Sequence, residues 1–384
     1  MFVQPVARRG ATGTLSIIVP CYNEGKVLEH CTNSLVAVLP EGADVVLVDD
    51  GSKDDTWEVA QLLAAQHPQV RAIHQENAGK GAALNTGIAA SEGDFLMLTD
   101  ADGIFTRDSI VEMLRGIADP RVGAVCGDDR PVNLDRVQTK FLAITSHVST
   151  GFMRRALSAM RALPIVSGNV GCFRRSVIDE VGPLRTDTLG EDLELTWRIQ
   201  EAGCRVVMRP RALVYAETPS TIGQLWRQRV RWARGLYQTI AQHWFAIGNP
   251  RYGIFGVALA PLVFASIALP AAQLLSLPLA VWLVLAGVPD ALPRDAISWL
   301  FWISLPLAAL LIVIACGIDR AWKDLRYWWT LPIWPFFSLW ASWVALWGLI
   351  LELRGTERSW NKFERAGVVS VDVARSASGA TDPA

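Results

Sequence analysis

Apolar residues in the first 220 positions fall into short runs separated by longer amphipathic stretches. Leu15–Val19, Val45–Val48, Val70–His74, Asp94–Thr99 and Val122–Cys126 have the length of buried strands. Between them the pattern predicts a helix reaching about Leu39, another over Thr56–Gln66, and a third starting near Gly79. Alternating strands and helices predict an α/β domain with a doubly wound, mostly parallel sheet covered on both faces. Ligands of such sheets bind at the carboxyl ends of the strands. The residues of interest are therefore those that follow the strands directly. The first, second and fourth runs lead into Pro20-Cys21-Tyr22-Asn23-Glu24, Asp49-Asp50-Gly51-Ser52 and Asp100-Ala101-Asp102.

The pattern changes after residue 250. Gly253 to Val288 is 36 residues without a formal charge. As one helix it would be about 54 Å long, against a bilayer core of roughly 30 Å, so a break is expected, at Pro270. Ala296–Gly317 and Trp328–Leu353 are each long enough to span, and none of the three shows the polar face of a soluble bundle helix. Trp299, Trp302, Trp328, Trp329 and Trp347 suit interfacial belts. Four spans place the basic tail with Arg354, Arg358, Lys362 and Arg365 in the cytosol, and three reverse that. The positive-inside tendency favours four.

The chain thus divides into an N-terminal tail (1–14), a cytosolic domain (15–220), an interface helix (221–250), transmembrane helices (251–353) and a C-terminal tail (354–384). Arg8 and Arg9 are not followed by a signal-like apolar run. The expected location is the plasma (inner) membrane, multi-pass, with the folded domain in the cytoplasm.

A net charge of −1 gives no global attraction to nucleic acid. The six cysteines form no C-x-x-C pair and no zinc spacing, and read as buried reduced thiols. Asp100 and Asp102 follow an apolar strand, where two carboxylates repel unless a cation lies between them. Mg2+ or Mn2+ would suit, although a turn with helix-capping Asp residues has the same pattern. In Asp49-Asp50 one carboxylate can hold the turn while the other faces a ligand. Lys80, in Asn77-Ala78-Gly79-Lys80-Gly81, lacks P-loop spacing but opens a helix, a place for phosphate or an ordinary helix start. Glu191 and Asp192 open an amphipathic helix that ends at Gly203, as first-turn acids or as a general base. Thr221–Trp244 predicts a long helix with a basic run from Arg227 to Arg234, suited to an anionic membrane face. Trp232 on it offers a flat apolar face for a sugar.

Taken in order, Val19-Pro20-Cys21-Tyr22-Asn23-Glu24, Val48-Asp49-Asp50-Gly51-Ser52, Gly79-Lys80-Gly81-Ala82-Ala83-Leu84-Asn85, Thr99-Asp100-Ala101-Asp102, Glu191-Asp192 and the Q-x-x-R-W series Gln228 to Trp232 resemble the family 2 inverting glycosyltransferases. The similarity is strongest to the processive cellulose, chitin, hyaluronan and poly-N-acetylglucosamine synthases. It covers about 220 residues and implies a GT-A-like fold, a UDP-sugar donor and a divalent metal, Mg2+ or Mn2+. By motif, Tyr22, Glu24 and Asp50 would hold uridine, and Lys80 would lie near the nucleotide. Asp100 and Asp102 would hold metal and diphosphate, and Asp192 would be the base, with Glu191 beside it in the substrate site. Gln228, Arg231 and Trp232 would line the acceptor and pyrophosphate site.

Two departures matter. Gly190 stands where many members have Thr, which bears on acceptor fit. Many synthases have an N-terminal membrane helix that this sequence lacks, which leaves open an accessory or export subunit. The acceptor implied is a growing polysaccharide. Transfer of one sugar to a lipid-linked acceptor is the alternative, and an inactive membrane subunit a more distant one.

Overall fold

The computed structural model describes residues 11–286, 294–357, 365 and 367. Most of the expected tails, including Arg8, Arg9, Arg358 and Lys362, lies outside them, as do the side chains of Trp299 and Trp302. Eight strands form one sheet: β1 Leu15–Cys21, β2 Asp44–Asp50, β3 Val70–Gln75, β4 Phe95–Leu98, β5 Ile104–Phe105, β6 Val122–Pro131, β7 Gly171–Arg174 and β8 Arg205–Ala216. Their spatial order is β3-β2-β1-β4-β7-β6-β8-β5. Side chains alternate across a strand. Leu15, Ile17 and Val19 of β1 therefore pack with Leu28 and Leu35 on one face, while Ile18 packs with Leu84, Leu195 and Ile199 on the other. Helices Gly25–Val36 and Ser109–Ile117 supply the first layer, and Lys80–Ala89 and Glu191–Glu201 the second.

The sheet is mixed but keeps the mostly parallel arrangement expected, since only β7 and β5 run against the other six strands. β3, β2, β1 and β4 are parallel, as are β6 and β8. β7 runs antiparallel between β4 and β6, and β5 antiparallel to β8. The segment between β6 and β7 accounts for the reversal of β7. Phe141, Leu142 and Ile144 pack onto the C-terminal apolar helices, so the chain re-enters the sheet at the end it left.

The parallel half opens a crevice at its carboxyl edge. The N–H of Thr99 donates to the Ile18 carbonyl at 3.2 Å, so the even residues of β1 bond toward β4. β4 pairing stops at Ile18 and Leu98. Pro20, two residues on, has no N–H to give and meets no ladder on that side. The strands part there, between the 20–24 and 99–102 turns.

Helix Ile222–Gln242 is capped by Thr221, whose hydroxyl accepts from the Gln224 N–H. Helix Gly253–Leu285 follows as 33 continuous residues through Pro261, Pro270 and Pro278, so the break expected at Pro270 is absent. Each interior proline removes one backbone bond, but about two turns lie between successive prolines and carry the helix on. Arg294–Asp319, a 3₁₀ stretch Trp322–Ile333 and helix Trp334–Leu353 complete the chain's described elements. Pro250–Ser276 and Trp322–Leu353 are long and apolar enough to cross a membrane by length and composition. Phe264, Leu275, Leu285 and Phe336 are largely exposed. The Ile222–Gln242 helix lies along the last helix. Trp226 meets Trp340 with ring centres 6.1 Å apart, and a Cβ on Gly348 would come within 2.8 Å of the Ala233 Cβ.

Candidate active site

The crevice gathers the strand-end motifs. Asn23 has a positive φ of 52°. Its N–H donates to Ser52 Oγ at 2.9 Å, and its side-chain oxygen accepts from the Lys53 N–H at 2.8 Å. The Glu24 N–H donates to Thr56 Oγ1 at 2.7 Å. Tyr22 and Glu24 are thereby held beside the Asp49–Ser52 turn. Both carboxylates of that turn are buried. Asp49 Oδ2 lies 2.7 Å from His74 Nδ1. Asp50 accepts from the Ala78 and Gly79 N–H groups, each at 2.9 Å, and from Gln75 Nε2 at 2.7 Å. Gly79 has a φ of +91°, open to glycine at little cost. The carboxylate of Asp50 therefore fixes the start of the Lys80 helix.

Lys80 Nζ lies 2.6 Å from Asp100 Oδ1 and 3.6 Å from Glu191 Oε1. Burial disfavours its charge, but Asp100, Glu191 and Asp192 together outweigh that and raise its pKa above the usual lysine value. Burial also works against ionised Asp100, yet Lys80, Arg365 and Arg231 hold its carboxyl below the ordinary range. Glu191 goes the other way. Burial and neighbouring Asp192 push its pKa up against the pull of Lys80 and Arg231. Asp192 is more exposed. Its Oδ2 accepts from the Gly168 N–H at 3.0 Å and its Oδ1 from the Leu193 N–H at 2.8 Å. A Cβ on Gly168 would lie 3.0 Å from Lys80 Nζ, so this backbone sits in the middle of the cluster.

Asp102 is buried, and its Oδ2 accepts from the Glu217 N–H at 2.9 Å. Arg365 pairs with the same carboxylate at 2.9 Å and donates to the Glu217 carbonyl at 2.6 Å. Asp102, Glu24, Asp100 and Glu217 all favour its charge there. The sequence places Arg365 in a basic tail, and nothing near it marks a site residue. Gly168 and Asn169 are missed for another reason: they act through backbone atoms, Asn169 by accepting from Thr99 Oγ1 at 2.8 Å.

From the long helix, Arg231 reaches the cluster and donates to the Leu189 carbonyl at 3.4 Å. Gln228 lies one turn before it. Trp232 is 47% exposed, with the Arg229 guanidinium 4.6 Å from its ring centre. Trp232 thus follows Arg231 in sequence but lies about 100° further around the helix. All six cysteines are free, and five are buried.

Asp100 and Asp102 are hard oxygen donors at one strand end, each facing a cationic side chain. That suits a divalent cation whose remaining ligands come from phosphate oxygens. Among the described residues no group of three or more His, Cys, Asp or Glu forms a metal cage on its own.

The model of the family "Glycosyltransferase like family 2" matches residues 12–235. A poly-beta-1,6-N-acetyl-D-glucosamine synthase from Staphylococcus aureus is 31% identical over 233 residues, 60% of this chain and 57% of that protein. The same-named protein from Staphylococcus epidermidis is 29% identical over 243 residues, 63% of this chain and 59% of that protein. The chain thus spans under two thirds of the length of these relatives. Among solved structures, a mannosyltransferase from Pyrobaculum calidifontis in complex with GDP-Man and Mn2+ shares the fold. Its TM-score is 0.63, with 24% identity and 92% of each chain covered.

Proposed function

Because this chain belongs to glycosyltransferase family 2, we propose that it transfers a sugar from a UDP-sugar to a growing polysaccharide at a membrane, with inversion at the anomeric carbon. The observation that carries this reading is the convergence of Lys80, Asp100, Glu191 and Asp192 at one point of the crevice. It puts a charge-stabilising cation and a solvent-reaching carboxylate side by side.

Asp192 takes the acceptor hydroxyl proton. That oxygen attacks the anomeric carbon from the face opposite the diphosphate, and the carbon–oxygen bond to the diphosphate breaks with its electron pair on the leaving oxygen. Lys80 and Arg231 stabilise the charge that develops there. Asp100 and Asp102 would hold Mg2+ or Mn2+, which when bound would supply further charge neutralisation at the diphosphate. Glu191, buried and 3.6 Å from Lys80 Nζ, helps to hold that ammonium beside Asp100. Tyr22, Glu24 and the Asp50 turn surround the place for the uracil and ribose. Gln228 and Trp232 extend toward the acceptor. Exposed Phe264, Leu275 and Phe336, on segments long and apolar enough to cross a membrane, support a lipid setting.

The test is direct. Detergent-purified protein is incubated with single UDP-sugars and Mg2+ or Mn2+, and UDP release and product size are measured. The expected result is turnover of one donor into polymer, lost in excess chelator. Absence of turnover with every nucleotide sugar tried would overturn the activity. Products one sugar longer than the acceptor would replace polymerisation by single addition.

A further inference from the structure

Three residues on one face of helix Ile222–Gln242 grip the turn that leads into Asp192. Arg231 donates to the Leu189 carbonyl. Gly235 packs its backbone on Gly190, so closely that a Cβ on Gly235 would lie 2.8 Å from the Gly190 nitrogen. Gln238, 5% exposed, accepts through Oε1 from the Leu189 N–H at 2.8 Å and from Thr188 Oγ1 at 3.1 Å. The positions are spaced by four and three residues, as one helix face requires. Thr188 Oγ1 in turn accepts from the Gly190 N–H at 3.2 Å.

The other end of Gln238 points away from the crevice. Its Nε2 donates to Glu352 Oε1 at 3.0 Å. Glu352 lies in the last turn of the Trp334–Leu353 helix and also pairs with Arg234. Arg234 itself donates to the Thr356 carbonyl at 2.8 Å and the Glu357 carbonyl at 3.1 Å. The amide can sit only one way round. A backbone N–H demands its oxygen, and a carboxylate demands its NH2. A buried amide bonded at both ends fixes geometry strongly, because losing the bonds at either end leaves a polar group unsatisfied.

We propose that Gln238 is a positioning residue for the transfer reaction, tying the base-bearing turn Thr188–Asp192 to the end of the last apolar helix through Glu352. The proposal rests on the reading of Asp192 as the general base. Gln238 touches no substrate. It sets where the Asp192 carboxylate stands relative to the acceptor hydroxyl, and it makes that placement depend on how the last helix is seated.

Gln238→Glu keeps the shape and sets a carboxylate against Glu352. The expected result on folded, detergent-purified protein is a kcat lower by about 10- to 100-fold, the scale of a ~1 Å misplacement, with UDP affinity unchanged. The exchange Gln238→Glu with Glu352→Gln restores a donor–acceptor pair and should recover most of kcat. Gln238→Met, which removes both bonds without a like-charge contact, serves if Gln238→Glu does not fold. A wild-type kcat in a folded single variant overturns the proposal, as does a loss of kcat that the double exchange leaves unrepaired. Asp192→Asn measured in parallel separates the two readings. Transfer surviving that change removes the base assignment, whatever Gln238 does.

Discussion

The two acids at the start of helix Glu191–Glu201 differ in surroundings more than in sequence. Glu191 is buried and its pKa is raised by that burial, while Asp192 reaches toward the opening with backbone donors on both oxygens. A general base needs access to the proton it removes, which favours Asp192. Asp192→Asn should retain UDP binding by calorimetry and lose about 100-fold or more in transfer, the range of a general base. Near-wild-type transfer would assign Asp192 to holding the Gly168 loop and pass the role to Glu191. Much of this cluster was legible because strand ends in α/β sheets collect ligand-binding groups. Asp100 and Asp102 come from motifs of that kind, while Lys80 and the acid pair come from helix starts. Asp50 was legible as a position, but its hydrogen bonds to Ala78 and Gly79 were not, since backbone donors leave no mark in the sequence. Arg365 was hidden because its neighbours read as a basic tail, and only the fold carries it to Asp102.

At the scale of elements, β1, β2 and β4 were legible because they are short apolar runs buried on both faces, and β3 was legible from Val70, Ala72 and Ile73 although Arg71 and His74 are exposed. Helix Thr56–Gln66 was found with its observed limits. β8 was missed because Arg205, Arg209 and Arg211 interrupt its apolar pattern, β5 because it is only 2 residues long, and β7 because Gly171 and Arg174 leave it only Cys172 and Phe173 as an apolar pair. The joint between helices Glu191–Glu201 and Ile222–Gln242 carries a pH dependence. His243 lies 2.7 Å from Glu201 Oε1 through Nδ1 and 3.4 Å from Glu194 Oε1 through Nε2, with Trp197 edge-on and Arg198 also on Glu194. Burial opposes protonation, but the two carboxylates outweigh it and raise the pKa from 6.5 to about 9. A raised pKa means the folded state binds the proton more tightly, so this stabilisation is full below pH 6.5 and is lost as pH rises through about 9. Melting temperature should fall across that window in the wild-type protein and fall less in His243→Gln. Parallel slopes for the two proteins would show that the joint does not titrate there.

At the scale of the whole molecule, one helix joins the chemistry to the apolar region. Ile222–Gln242 presents Arg231 to the carboxylate cluster and packs Ala233, Arg234 and Trp226 on the last helix. Trp232 follows Arg231 by one residue, about 100° further around the helix, and stays half exposed. An acceptor sugar resting on its face would lie on the helix that precedes the apolar segments. Indole contacts a sugar through apolar area without demanding a fixed pattern of hydroxyls, which suits a chain that shifts by one unit after each transfer. Arg229 against the same ring holds the indole in place by cation–π attraction. If Trp232 instead anchors the helix at a membrane interface, its removal should lower stability or change location while polymer length stays the same. The two roles separate in Trp232→Ala. As an acceptor platform, the variant should melt near the wild-type temperature, remain with the membrane fraction, bind UDP and still release UDP slowly by donor hydrolysis. Its radiolabelled products should be short or missing. Long polymer from folded Trp232→Ala protein would take the indole out of the acceptor path, and with it the main support in this helix for repeated addition to one chain.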